Sequence, residues 1–159
     1  MSGFFITFEG TEGCGKSTHI HKLTERLQAE GHTVRVVREP GGTESGEQIR
    51  KLLKHGPKNL TAETELLLFT AARRDHLEKL IRPALAAGQI VITDRFADST
   101  RMYQGLSRGD LRLQVDALHD LMIGIEPDLT VIVDLDPATG LARALGRGGT
   151  EERFEGFGE

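Results

Sequence analysis

The chain has 159 residues, of which 38% are hydrophobic and 28% charged, with a net charge of −4. That balance is ordinary for a soluble globular protein and argues against one that coats nucleic acid. The longest apolar runs, at 66–69 and 90–92, are too short to span a bilayer; the first ten residues lack a basic start and a long apolar core; and a lone cysteine, Cys14, excludes an internal disulfide framework. A cytoplasmic location is expected, with no membrane or nucleic-acid partner.

The first element is "FFITFE" (4–9), which has the composition of a strand. It runs into Gly10-Thr11-Glu12-Gly13-Cys14-Gly15-Lys16-Ser17-Thr18, which fits the Walker A pattern in the context that pattern needs, after a strand and opening a helix. Glycines at this spacing let backbone N–H groups converge on phosphate oxygens, and the helix N-terminus adds positive potential. Lys16 is placed to reach the terminal phosphates of a nucleoside triphosphate, and Ser17 to ligate Mg²⁺. Cys14 reads as a small residue that fits the loop, since phosphoryl transfer needs no thiol. From residue 16 the pattern is helical, with Ile20, Leu23 and Leu27 on one face and Gly31 at the position after the helix end.

A second strand is expected over 33–39, ended by Pro40-Gly41-Gly42, and a short helix over 46–54. A long helical region covers 60–85, capped between Thr61 and Thr64 and bent or divided at Pro83. A third strand follows at 89–94, a helix at 111–123, a fourth strand at 128–136 and a helix at 138–145. The last helix enters the arginine- and glycine-rich "GRGGTEER". Near-continuous apolar strands alternating with helices define an α/β fold, a parallel sheet with helices on both faces. No internal repeat or linker divides the chain, so residues 1–159 are read as one domain.

A GTP switch does not fit. The only asparagine, Asn59, is followed by Leu60, no threonine precedes a lysine, and no Asp-x-x-Gly is present. The six histidines form no constellation; His19 and His21 lie two apart on a helix and share no face. The arginines are clustered at 73–74, at 95 and 101, and at 143, 147 and 153. A kinase whose acceptor is itself a phosphate explains this best. Its nucleophile is already ionised near neutral pH, so the site must gather two anionic groups and neutralise them, with no strong general base.

Five ordered blocks resemble the thymidylate kinase family: "FITFEGTEGCGKST", "REPGGTESGEQIRKLL", "ELLLFTAARRDHLEKLIRPAL", "VITDRFADSTRMYQGLSRG" and "PDLTVIVDLDPATGLARALGRG". The resemblance covers nearly the whole chain. It implies a P-loop nucleoside monophosphate kinase architecture that converts ATP and dTMP into ADP and dTDP with Mg²⁺. Within it, Lys16 and the loop from Gly10 to Thr18 would hold ATP, with Ser17 and Asp94 near the metal. Glu12 would face the dTMP sugar and metal region. Arg95 would grip the dTMP phosphate, with Arg38, Glu39 and Arg50 lining the same pocket. Phe69 would stack on thymine and Arg73, at i+4, would read its carbonyl edge. Thr100 and Gln104 would complete base reading, and Tyr103, the sole tyrosine, would sit under the sugar and disfavour a 2′-hydroxyl.

The loop between Gly10 and Gly15 has no arginine, so the resemblance implies the bacterial-type arrangement, in which the catalytic arginine comes from a lid at about 143–154. Arg147 is the first candidate and Arg153 the second. The lid reads Glu-Glu-Arg-Phe where the family often has Asp-Arg-Phe. The family continues through a further helix, strand and helix, so the chain is expected to lack a C-terminal part. A homodimer through the long helices is implied. Two other readings stay open from sequence: a P-loop kinase for another small acceptor, such as a different nucleoside monophosphate, and a non-catalytic nucleotide-binding interaction protein.

Overall fold

Strand β1 (Phe4–Glu9) alternates its side chains between two apolar layers. In the computed structural model, which describes residues 3–107 and 109–146, Phe5 enters one layer with Val37, Leu77, Ile81, Val91, Phe96 and Ile123. Ile6 and Phe8 enter the other with Ile20 and Ile92, backed by Leu23, Leu27, Val131 and Val133. A strand buried on both faces must be central, and β1 is. The sheet runs β2 (Val34–Arg38), β3 (Ile90–Asp94), β1, β4 (Leu129–Ile132), with all pairs parallel. The expected α/β class and two-sided cover hold.

Helix α1 (Lys16–Ala29) covers one face. It ends as expected at Gly31, where the Gly31 and His32 N–H groups return to the Gln28 and Leu27 carbonyls at 3.0 Å. The other face is covered by α3 (Ala62–His76), a π-helical turn (Leu77–Ile81), α4 (Arg82–Ala86) and α6 (Arg112–Met122). Thr61 caps α3, its hydroxyl accepting from the Thr64 N–H at 3.2 Å.

Several boundaries differ from the sequence reading, each for a physical reason. The long helix is not broken at Pro83 itself. The chain widens to π winding one turn earlier, because Pro83 has no N–H to offer an i−4 carbonyl and its ring crowds that carbonyl. Helix α2 (Glu44–His55) starts two residues earlier than expected, because the Thr43 hydroxyl accepts from the Gly46 N–H at 3.0 Å. Strand β4 is shorter than 128–136. Among the described residues it pairs only with β1, and the last backbone bond of that pair is from Val133 N–H to the Glu9 carbonyl at 2.8 Å. Helices α5 (Ala97–Tyr103) and α7 (Pro137–Gly146) complete the described chain.

Parallel strands all point their carboxyl ends to one edge, and that is where an open α/β sheet binds ligands. Here that edge carries Glu9 from β1, Arg38 from β2 and Asp94 from β3, with the phosphate loop rising beside them.

Candidate active site

The phosphate loop is held by contacts that only glycine permits. Gly13 has φ 74°, and a Cβ there would stand 2.1 Å from the Gly140 carbonyl oxygen at the start of α7. The loop and α7 therefore touch backbone to backbone. Lys16 is 6% exposed and curls back across the loop, donating from Nζ to the carbonyls of Gly10 at 3.0 Å and Thr11 at 2.9 Å. Ser17 Oγ donates to Asp94 Oδ2 at 3.4 Å. Burial pushes the Asp94 carboxyl up, against the opposing pull of Lys16 and Arg95.

Beyond β3 the backbone is strained. Arg95 has φ 71°, the left-handed region, and among the described residues no other non-glycine does. This conformation aims its guanidinium into the cleft. Nη2 donates to Glu12 Oε1 at 2.5 Å, Nη1 donates to Ser99 Oγ at 3.0 Å, and the group lies 5.5 Å from the centre of the Tyr103 ring. Burial opposes the charge, but Tyr103, Glu12 and Asp94 outweigh it and hold the Arg95 pKa above its ordinary value. Ser99 in turn donates to Glu9 Oε2 at 2.6 Å, and Glu9 Oε1 accepts from the Phe96 N–H at 2.8 Å. The buried Glu9 thus fixes the turn that presents Arg95.

The far wall is a second cluster, around Arg73 and Glu39. Arg73 is 5% exposed. Its Nε donates to Glu39 Oε2 at 2.5 Å, and its Nη2 donates to the Phe96 carbonyl at 3.0 Å and to Thr100 Oγ1 at 2.9 Å. The guanidinium stands 5.0 Å from the Phe96 ring centre. Burial raises the Glu39 pKa, but Arg73 and His76 overcome this and hold it below 4.5. Arg38 Nη2 donates to Glu47 at 3.0 Å, and Arg50 Nη1 to the Pro40 carbonyl at 2.9 Å.

The two arginine clusters and the phosphate loop face one cleft of about 550 Å³, the size expected for a small-molecule site. Lining it are Glu12, Gly13, Gly15, Lys16, Ser17 and Thr18 from the loop and α1, and Arg38, Glu39, Arg50, Phe69 and Arg73 from β2, α2 and α3. Asp94, Arg95, Thr100, Tyr103 and Gln104, from the end of β3 and from α5, complete the lining. Gly10, Thr11 and Cys14 belong to the loop but do not face the cleft. Arg147 and Arg153, and most of the expected lid, lie outside the described residues. Sequence reasoning missed Glu9, Ser99, Phe96 and His76. Ser99 was findable, being one helical turn after Arg95. Glu9 carried no signal beyond an acid ending an apolar strand.

A family profile described as thymidylate kinase matches residues 8–157. The chain is 66% identical over 158 residues to a thymidylate kinase of Ruegeria pomeroyi, covering 99% of this chain and 75% of that one. It is 59% identical over 157 residues to the thymidylate kinase of Dinoroseobacter shibae, covering 98% and 76%. Among solved structures, thymidylate kinase from Ehrlichia chaffeensis superposes with a TM-score of 0.79 at 44% identity, covering 91% of this chain and 79% of that one.

Proposed function

The chain belongs to the thymidylate kinase family, and we propose that its cleft joins ATP, held by the phosphate loop, to dTMP, held by the Arg73 and Arg95 clusters. The enzyme is a dTMP kinase, which phosphorylates dTMP in dTTP synthesis with ATP as co-substrate. The observation that carries the assignment of residues is the cleft itself, because a loop built for triphosphate and two arginine clusters face each other across it.

The chemistry asked of these residues is modest. An oxygen of the dTMP phosphate attacks the γ-phosphorus of ATP, the bond to the β-γ bridging oxygen breaks, and ADP leaves. The attacking oxygen is already ionised, so no base is required. Lys16 leaves the Gly10 and Thr11 carbonyls for the ATP phosphates. Arg95 exchanges Glu12 for the acceptor phosphate and aligns it, while Ser99 and Glu9 keep the arginine in place. Arg50 and Arg38 add positive charge at the same end, with Glu39 beside them. Phe69 stacks on the base. Arg73 donates to its 4-carbonyl, and Thr100 and Gln104 complete the edge. Gln104 Oε1 is enclosed and has no hydrogen-bond partner among the described residues, an acceptor suited to a ring N–H. Tyr103, against Arg95, occupies the sugar position.

Ser17 and Asp94 supply hard oxygen donors at the phosphate end, which suits Mg²⁺. No cluster of three or more His, Cys, Asp or Glu that could hold a metal gathers among the described residues, so such an ion would draw further ligands from phosphate and water. When bound, Mg²⁺ neutralises charge on the β- and γ-phosphates. The lid cation is assigned to Arg147 first and Arg153 second, over a single domain with a lid at about 143–154. A cytoplasmic homodimer is part of the same reading. Leu67 on α3 and Leu113 and Leu121 on α6 are 57%, 82% and 77% exposed, which supports an apolar contact through these helices. No helix among the described residues is long and apolar enough to cross a membrane.

The test is ADP release with Mg-ATP and a panel of dTMP, dUMP, CMP, AMP and no acceptor. Preference for dTMP is expected. A preference for another monophosphate would sink the assignment of the base-facing residues.

A further inference from the structure

His76 is the most deeply enclosed ionisable group beside the cleft, yet it does not touch it. It ends α3, has no exposed surface, and its Nδ1 lies 3.1 Å from Glu39 Oε1. Its Nε2 has no hydrogen-bond partner among the described residues. That edge of the ring stands against Gly42, where an added Cβ would come within 3.1 Å of Nε2. The backbone of the Pro40–Gly42 turn is thus close-packed on the imidazole.

The consequence lies in how Glu39 can hold Arg73. A carboxylate beside an arginine ordinarily takes two parallel N–H bonds, one on each oxygen. Here His76, three residues after Arg73 and therefore on the same face of α3, occupies Oε1. Glu39 is held ionised, so Nδ1 must carry the proton it donates. With that oxygen held by the ring, Glu39 turns its Oε2 to Arg73 and accepts from Nε. Nη2 is committed to the Phe96 carbonyl and Thr100 Oγ1. Nη1 is left with no hydrogen-bond partner among the described residues, on a side chain that lines the cleft.

We propose that His76 is a positioning residue for acceptor recognition: its bond to Oε1 fixes the rotation of the Glu39 carboxylate, so that Oε2 takes the Arg73 Nε and the guanidinium presents its Nη1 N–H pair to the carbonyl of a pyrimidine base. This rests on the reading of Arg73 as a base-facing group. With the histidine's donor removed, the Glu39 carboxylate is free to rotate, and the guanidinium it carries on Oε2 loses its fixed orientation toward the base. The loss falls on the acceptor and its 4-substituent, because ATP meets none of these groups.

The experiment compares His76→Leu, which fills the space with no donor, with His76→Asn, whose amide nitrogen can occupy the Nδ1 position. Should the leucine variant not fold, His76→Gln replaces it, since its amide nitrogen falls at the Nε2 position, away from Glu39. dTMP binding is measured by calorimetry without ATP, alongside KM for dTMP and for ATP and the preference for dTMP over dCMP. The donorless variant is expected to weaken dTMP at least about 10-fold, as loss of one charge-assisted hydrogen bond does. It should erode preference against dCMP and leave the ATP KM within about twofold. Asn is expected to restore both. In a double-mutant cycle with Arg73→Lys the two effects should not add, because the residues act through one carboxylate. Unchanged dTMP binding in the donorless variant, equal impairment of a folded Asn variant, or additivity with Arg73→Lys would overturn the proposal. Failure of the native protein to bind or turn over dTMP would instead remove the functional reading, so the two failures are distinguishable.

Discussion

The two halves of the cleft are built by opposite means. The donor half is a contiguous stretch of nine residues whose shape comes from backbone: left-handed glycines, a helix N-terminus and a loop packed directly on α7. The acceptor half is assembled from β1, β2, α3, β3 and α5, and its shape comes from ionised side chains buried against one another. Close backbone packing tolerates almost no change of volume, whereas a charge network tolerates changes of volume but no loss of a partner. Variants that probe each half should therefore fail in different ways.

The largest effect is expected at Arg95, which ties the halves together through Glu12 and Ser99. Arg95→Ala is expected to cut turnover at least roughly 100-fold, the usual loss when a group that stabilises transferring charge is removed. Steady-state kinetics with both substrates varied checks this. A near-normal rate would remove Arg95 from the reaction and leave the two halves uncoupled.

Gly13→Ala probes the donor half alone. The added methyl meets the Gly140 carbonyl oxygen at 2.1 Å and forces a left-handed alanine, so the change is expected to cost roughly 2–4 kcal/mol of stability. The ATP KM should rise while calorimetric dTMP affinity stays close to native. Urea denaturation and calorimetry measure the two. If dTMP binding fell as far as ATP binding, the halves would not be separate constructions.

The same contrast explains what could be read from sequence. A backbone-built site is contiguous, so "GTEGCGKST" announced itself through spacing, as did the strand before it and the helix it opens. The i, i+4 pair of Phe69 and Arg73 was legible because both lie on one helix, and both line the cleft. The supports of the acceptor half were not legible. Glu9 and Ser99 are 90 residues apart, and Glu39 and His76 are 37 apart, so they meet only after the sheet order brings β1, β2 and β3 together. The left-handed Arg95 does not follow from local propensity; it is imposed by tertiary packing on a residue whose own preference lies elsewhere.

The smallest expected effect lies behind the acceptor half. Arg101, on the back of α5, fans out to Asp98 at 2.8 Å, Asp116 at 3.0 Å and Glu126 at 2.6 Å, fastening the helix that carries Ser99, Thr100 and Tyr103 to α6. Hydrogen bonding from Arg101, against a burial penalty and with help from Arg112, holds the Asp116 pKa below its ordinary 3.8. A carboxylate whose folded pKa is depressed stabilises the fold above its unfolded value and loses that contribution as pH falls through the folded one. Asp116 is 39% exposed on its side chain, so Asp116→Asn is expected to cost under about 1 kcal/mol near neutral pH. Urea denaturation across a pH series should show a constant gap between native and variant above about pH 5 that closes as the pH drops below 3.8. A gap of the same size in acid would mean that Asp116 works by packing. The ion fan would then be incidental, and the acceptor half would rest on shape, as the donor half does.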